Sequence, residues 1–135
     1  TSATITISST ADGTSGGTAI IDGNAVAYNG STRICIEVFL TAVSYTTTTN
    51  QDVVFNLYDG TPDLGRLGQV GGFVGSATDV ISVAFFGRRF FTPTAATHTY
   101  HVRGWKTSAG VTATVNSGAG GASTQVPSYY RITMA

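Results

Sequence analysis

His98 and His101 stand in an H-x-x-H spacing, the first arrangement in this chain that suggests chemistry. On a helix such a pair can share a metal ion, but on a strand side chains alternate between faces, so residues three apart point in opposite directions. The surrounding residues read as a strand, and the two imidazoles therefore read as separate hydrogen-bonded histidines. Asp59 and Asp63 flank Gly60-Thr61-Pro62 and offer two oxygens, well short of the six to eight that calcium takes; an Asp-capped turn accounts for them. Glu37 and six scattered aspartates form no marked pair of the kind that divides general acid from general base. Twelve serines are present, yet no Gly-x-Ser-x-Gly turn exposes one as a nucleophile. Cys35 is the only cysteine, which excludes an intrachain disulfide and a thiolate metal cluster; between Ile34 and Ile36 it reads as a small core residue. The expectation is a protein without a catalytic centre, metal or cofactor.

The residues that suggest binding are of another kind. Phe85-Phe86-Gly87-Arg88-Arg89-Phe90-Phe91 alternates so that Phe85, Arg89 and Phe91 share one face while Phe86, Arg88 and Phe90 share the other. A turn or bulge at Gly87 would re-aim the second half. Two readings stay open: Arg88, Arg89, Phe90 and Phe91 form an interface patch, since aromatics and Arg dominate contact energy, or the Phe rings are core and the arginines snorkel to water. Trp105 shares a face with Arg103 and His101, opposite Tyr100 and Val102, where it either stacks on a ligand or covers the end of the fold. Six arginines against one lysine favour fixed, bidentate carboxylate pairing.

Composition says which elements must hold these groups. Thr, Ser and Gly make up 52 of the 135 residues, while Leu, Glu, Lys and Met are scarce, so good helix formers are nearly absent. Val, Ile, Thr and aromatics fit pleated, half-buried surfaces instead. The net charge is zero, which gives no long-range field toward nucleic acid or anionic membrane. Charged residues are only 10% of the chain, so its surface is either rich in hydroxyls or covered by a partner. No apolar run approaches the length of a membrane span. The start at Thr1 is what removal of an initiator Met would leave, and is read as a complete protein made in the cytoplasm.

Thr4 to Ser8 alternates strictly and is followed by the Gly/Ser-rich stretch Asp12 to Thr18. Residues 1–18 thus describe a short strand on a flexible arm, with Ile5 and Ile7 adding to a neighbour's sheet; a first strand of the chain's own sheet is the equal alternative. Residues 19–135 form one further unit. Ala19 to Tyr28 is extended and ends at Asn29-Gly30, a strong hairpin signal. Arg33 to Val43 alternates with Ile34, Ile36, Val38 and Leu40 against Cys35, Phe39 and Val43, which suits a strand in the middle of a sandwich. Thr46 to Asn50 is a loop or strand end. Val53 to Tyr58, Asp79 to Phe86, His98 to Trp105, Val111 to Val115 and Tyr129 to Met134 are further strands. Glycines at 65, 68, 71, 72 and 75 suggest bulges, close backbone packing or a strand against another subunit. Seven or eight short strands with no helix between them predict an all-β, antiparallel β-sandwich.

The run Pro93 to Trp105 (PTAATHTYHVRGW), then Gly118 to Ala122 (GAGGA), Pro127 to Thr133 (PSYYRIT) and Val53 to Gly60 (VVFNLYDG) resemble small bacteriophage virion proteins and fibre-tip domains with a tumour-necrosis-factor-like jelly roll. Ala96 departs from the pattern, where such proteins commonly carry a turn glycine. The resemblance implies jelly-roll topology and a homotrimer about a threefold axis, with the Tyr100 strand and the final strand, including Tyr129, near that axis. It implies a capsid decoration protein on the virion surface that binds the major capsid protein or another virion protein and stabilises the assembled shell. The absence of heptads, collagen repeats and a stalk favours this over a fibre tip. Under the alternative, a receptor- or carbohydrate-binding fibre tip, a host glycan is the partner, with Trp105, Tyr28, Tyr45 and Tyr58 as the platform.

Overall fold

The computed structural model describes residues 4–11, 17–46, 51–72, 79–110, 112–121 and 125–135. Eleven antiparallel strands run through them: β1 (Ile5–Thr6), β2 (Thr18–Asp22), β3 (Val26–Ala27), β4 (Ile34–Thr46), β5 (Gln51–Asp59), β6 (Asp63–Gly72), β7 (Ile81–Phe91), β8 (Thr97–His98), β9 (Tyr100–Lys106), β10 (Thr112–Asn116) and β11 (Tyr129–Met134). They form a β-sandwich. One sheet has the order β1-β10-β4 with β7 on the far edge of β4; the other has the order β2-β9-β5-β6. β3 and β8 pair separately.

β4 organises the first sheet. β7 pairs along one of its edges, while β11 and β10 lie end to end along the other. The gap between those two strands falls at Thr41. There the Thr41 N–H donates to the buried Ser128 hydroxyl at 3.1 Å, and the Thr41 hydroxyl donates to the Val126 carbonyl at 2.6 Å. A side chain thus supplies the acceptor that the broken ladder lacks. Ile34, Ile36, Val38 and Leu40 face the core, but the register slips by one residue between Leu40 and Val43. That bulge moves Val43 and Tyr45 onto the core face too, which corrects the expectation that Val43 opposes Leu40. The slip expected at Gly87 does not occur. β7 runs straight through it, because the Phe85 ring and Leu67 fill the space that a side chain at Gly87 would need.

β5 lies between β6 and β9, and Val53 through Tyr58 are buried on both faces. Val53, Phe55 and Leu57 face inward, and the Phe55 ring meets Phe85 of the opposite sheet at 4.7 Å. Gly65 and Gly68 of β6 sit beside bulges: the register shifts around Leu67 and again around Leu64, and Gly65 takes φ 110°. The glycine positions opposite Phe55 and Leu57 carry no side chain, so Phe85 closes over Gly68 and the Arg89 guanidinium over Gly65. Bulges and close approach account for these two glycines without a second subunit.

Several boundaries differ from expectation. The run 19–28 breaks into β2 and β3 at Gly23, whose N–H donates to the Tyr100 carbonyl at 2.9 Å. Asn29-Gly30 is a turn but not a hairpin: β3 pairs with β8, not β4, and the Asn29 carboxamide oxygen accepts from the N–H groups of Ser31 and Thr32. The expected strand from His98 to Trp105 is divided at Thr99 into β8 and β9. Of the two readings of the N-terminal segment, β1 pairs with β10 of its own chain, and Ile7 is fully buried in the core. Most of the expected tether (12–16), the threonine run at 47–50, Gly75 and Val111 lie outside the described residues.

Candidate functional site

Strand alternation on β4, β7 and β11 builds a face on the outside of the first sheet. Cys35, Glu37 and Phe39 of β4 point outward, and register places them in rows with β7 and β11: Phe90, Cys35 and Thr133; Arg88, Glu37 and Arg131; Phe86, Phe39 and Tyr129. Phe86 is 52% exposed, Phe90 42% and Tyr129 41%, values that are high for large apolar side chains grouped on one surface. Phe39 stacks on Tyr129 at 5.5 Å. Arg33 and Arg88 lie over Phe90 at 5.2 and 5.5 Å, and Arg131 over Tyr129 at 5.8 Å, so guanidinium groups flank the rings. Arg131 also donates to Glu37 at 2.8 Å, and this bond raises its already high pKa. Three arginines against one carboxylate leave the face positive.

The face brings together Arg88, Phe90 and Tyr129 of the residues singled out from sequence. The others lie elsewhere. Arg89 and Phe91 point into the seam of the sandwich, with the guanidinium 6.0 Å from the Phe91 ring, because the strand continues through Gly87 without a slip. Tyr100 is 1% exposed and belongs to the core, since its parity on β9 is that of Val102. Ile7 is likewise buried in this chain's core, and Ile5 is partly buried against it, so neither projects from an arm toward a neighbour. Trp105 is on the outside of the other sheet. Sequence reasoning missed Phe39, Phe86, Arg33 and Arg131 as members of the face. Parity had already placed Phe86 with Arg88 and Phe90, but the partnership of β4 and β11 across 90 residues has no local signal.

The outside of the second sheet is a polar layer. His101 Nδ1 and Arg103 Nη2 both donate to Asp22 Oδ1, at 2.8 and 3.0 Å, and the Arg66 guanidinium lies 5.7 Å from the Trp105 ring centre. His101, Arg103 and Trp105 share this face, as expected from alternation. Arg66 covers the Trp105 ring and the indole N–H is sealed from solvent, so this tryptophan serves as a cover for β5 more than as an open platform.

At one end of the sandwich the segment from Gly23 to Tyr28 forms a strap, held by its pairing with β8 and by the Tyr28 N–H donating to the Ala96 carbonyl at 2.9 Å. Beneath it are Tyr28, Tyr100, Phe91 and His98, whose rings lie 5.5 to 6.0 Å apart. His98 Nδ1 donates to Asp59 at 2.5 Å, and Nε2 faces both the hydroxyl and the carbonyl of Thr94 at 3.2 and 3.1 Å. Hydroxyl, imidazole and carboxylate in line is the order of an activated nucleophile. Here the Thr94 carbonyl, which can only accept, faces Nε2 as closely as the hydroxyl does, an arrangement that suits fastening the loop before β8 to the end of β5. His98 and His101 each have their own aspartate, and among the described residues no group of three or more His, Cys, Asp or Glu is arranged to hold a metal ion.

No protein-family model matches this chain, and no curated protein sequence matches it.

Proposed function

We propose that this chain is a structural virion protein: a jelly-roll subunit that forms a homotrimer through the outer face of the β4 sheet and decorates an assembled phage capsid. The exposed aromatic and arginine face carries the reading. Phe86, Phe90 and Tyr129, flanked by Arg33, Arg88 and Arg131, are the residue types that supply most of the energy of protein interfaces. A chain with so few charges has little else to hold such a patch in water.

Strand order supports the architecture. With β3, β8 and β11 set aside, the eight remaining strands in chain order interleave as 1-8-3-6 in one sheet and 2-7-4-5 in the other. That order is the one expected from the wrapping of two Greek keys in a jelly roll, an architecture common among viral capsid and lectin domains, and it supports the reading. β11 is an addition to it.

Charge supports a ring over a twofold dimer. On a twofold axis the face meets itself and sets arginine rows against each other, whereas a heterologous contact lets it meet a different surface. Asp52 and Asp63 belong to strands of the opposite sheet, where Asp22 and Asp59 are already engaged by His101, Arg103 and His98. Light scattering on the purified protein tests the assembly: a mass near three times 13.9 kDa is expected, and a monomer at micromolar concentration overturns the trimer. Cosedimentation with purified capsid shells tests the decoration role, with retention of the protein on shells expected and its recovery in the supernatant refuting it.

A further inference from the structure

Among the described residues the final strand, β11, has a neighbour on one side only: it pairs with β4 and ends the strand order of its sheet. β1, which borders the adjoining β10, is two residues long and meets only Thr114 and Val115. Just past β11 the Ala135 N–H donates to the Arg33 carbonyl at 3.0 Å, which makes these two a hydrogen-bonded pair continuing the same antiparallel ladder. Such pairs alternate with pairs whose backbone groups turn the other way. Counting back by twos, Thr133, Arg131 and Tyr129 address β4, while Met134, Ile132 and Tyr130 turn their N–H and C=O groups to the open side. Backbone groups left so are a template for another strand.

Two grooves follow this edge. Beside Tyr130 and Ile132, where the two sheets part, lies one of about 470 Å³ with Ile21 and Val26 in its far wall. Beside Met134 lies a second of about 280 Å³, walled by Ala27, Tyr28 and Ile34. The opposite side of the sandwich is shut, because Phe85 and Arg89 of β7 close over Gly68 and Gly65 of β6. β11 also lacks the devices that guard an edge, having no proline, no lysine and no register shift against β4. We propose that the open edge of β11 takes an extended peptide of a partner chain as an added strand, with apolar side chains at alternate positions and carboxylates between them.

Alternation and charge decide that pattern. Main-chain pairing holds such a peptide, and its side chains alternate between the two sides of the sheet as those of β11 do. Those on the side of Tyr130, Ile132 and Met134 enter the grooves, where among the described residues no Lys, Arg or His stands to meet an anion. Asp22, the one carboxylate of the linings, already accepts from His101 and Arg103, so a cation gains little there. Apolar side chains fit. Those on the other side lie beside Arg131, whose side chain is 57% exposed, and beside a face where Arg33, Arg88 and Arg131 outnumber Glu37. A carboxylate is the complement. Tyr129 adjoins both surfaces, but the added strand lies in the plane of the sheet and not over its face, so the inference does not rest on the trimer.

The probe is a short, end-blocked peptide of alternating Val and Asp, titrated into the full chain while amide exchange is followed residue by residue by NMR. In the free chain the amides of Tyr130, Ile132 and Met134 should exchange faster than those of Arg131 and Thr133, and saturating peptide should slow them about 10-fold. N-methylation of the Val residues, whose N–H groups would face β11, should abolish binding. Arg131→Glu should weaken it about 3- to 10-fold and favour a peptide with Lys in place of Asp. Phe86→Ser should bind as wild type does, which keeps this result apart from that of the trimer. Equal exchange of the two sets of amides in the free chain overturns the proposal, as does failure of the Val and Asp peptide to slow them. Equal binding of the N-methylated peptide overturns strand addition, and equal binding of the Lys peptide to wild type overturns the acidic pattern. Loss of binding in Phe86→Ser would move the site to the outer face. Slow exchange in the free chain that is lost on dilution would make the occupant a second copy, against a partner peptide.

Discussion

Phe86→Ser is the substitution on which the trimer stands or falls. Phe86 is 52% exposed in the single chain, at the corner of a row with Phe39 and Tyr129. An aromatic side chain of this size presents about 200 Å² when fully open, so roughly 100 Å² is left to be covered by a neighbour. At ~25 cal/mol per Å², covering it contributes about 2.5 kcal/mol for each copy. A closed trimer repeats the contact three times, for about 7 kcal/mol, which lowers the association constant by roughly 10⁵ at ~1.4 kcal/mol per decade. Because half of the ring is already in solvent, the fold itself should lose only about 1 kcal/mol. The assay is light scattering across a dilution series, with thermal unfolding monitored alongside. The expected result is a folded monomer at concentrations where wild type shows the mass of the proposed trimer. A trimer of unchanged mass and dilution behaviour would refute assembly through this face.

Other expectations follow from single contacts. Gly87→Ala places a methyl group 3.0 Å from the Phe85 ring and 3.1 Å from Leu67, and urea denaturation should show a loss of ~1–3 kcal/mol from overpacking. Ser128→Ala removes the hydroxyl that accepts from the Thr41 N–H at the β10–β11 junction, and should cost ~1–3 kcal/mol by the same measurement, with no change if another group takes its place. Tyr100 and Tyr130 are held well above their ordinary pKa of 10.0, first by desolvation and then by neighbouring Tyr and Asp groups. The unfolded chain therefore loses these protons first as pH rises. Stability should be insensitive to them below pH ~10 and fall above it, and an ultraviolet titration should show part of the tyrosine signal appearing only on unfolding.

What sequence could and could not reveal follows from the range of each interaction. The all-β class, the inward row Ile34-Ile36-Val38-Leu40 and the shared face of His101, Arg103 and Trp105 were legible because a period of two depends only on neighbours. The bulge between Leu40 and Val43 was not, since Thr41 and Ala42 have no glycine or proline to announce it. Gly87 drew attention instead, and its lack of a side chain turned out to serve the Phe85 ring. Of the residues singled out, Arg88, Phe90 and Tyr129 share the outer face of the β4 sheet, whereas Arg89 and Phe91 fall on the other side because adjacent letters on a strand belong to opposite surfaces, and Tyr100 is in the core. Asn29-Gly30 carried a true turn signal, yet which strands a turn joins is decided by pairing between distant segments. The strap over Tyr28, Tyr100 and Tyr130 has no sequence signature at all. Its members come from three separate stretches, and only folding brings their hydroxyls under one cover.

The arrangement of β4 also bears on how the molecule forms in a cell. One edge of this strand waits for β11, whose residues are made about 100 positions later than the partners they meet, so the pairing is among the least local in the chain and slow to nucleate. Until β11 arrives, an apolar strand holding Ile34, Ile36 and Val38 has one edge open, and open apolar edges recruit strands from other nascent chains. Yield should therefore depend on temperature and synthesis rate more steeply than the stability of the finished fold would suggest. The Ser128 hydroxyl, which fits the backbone gap only once β10 and β11 are both seated, acts as the latch that marks the end of assembly.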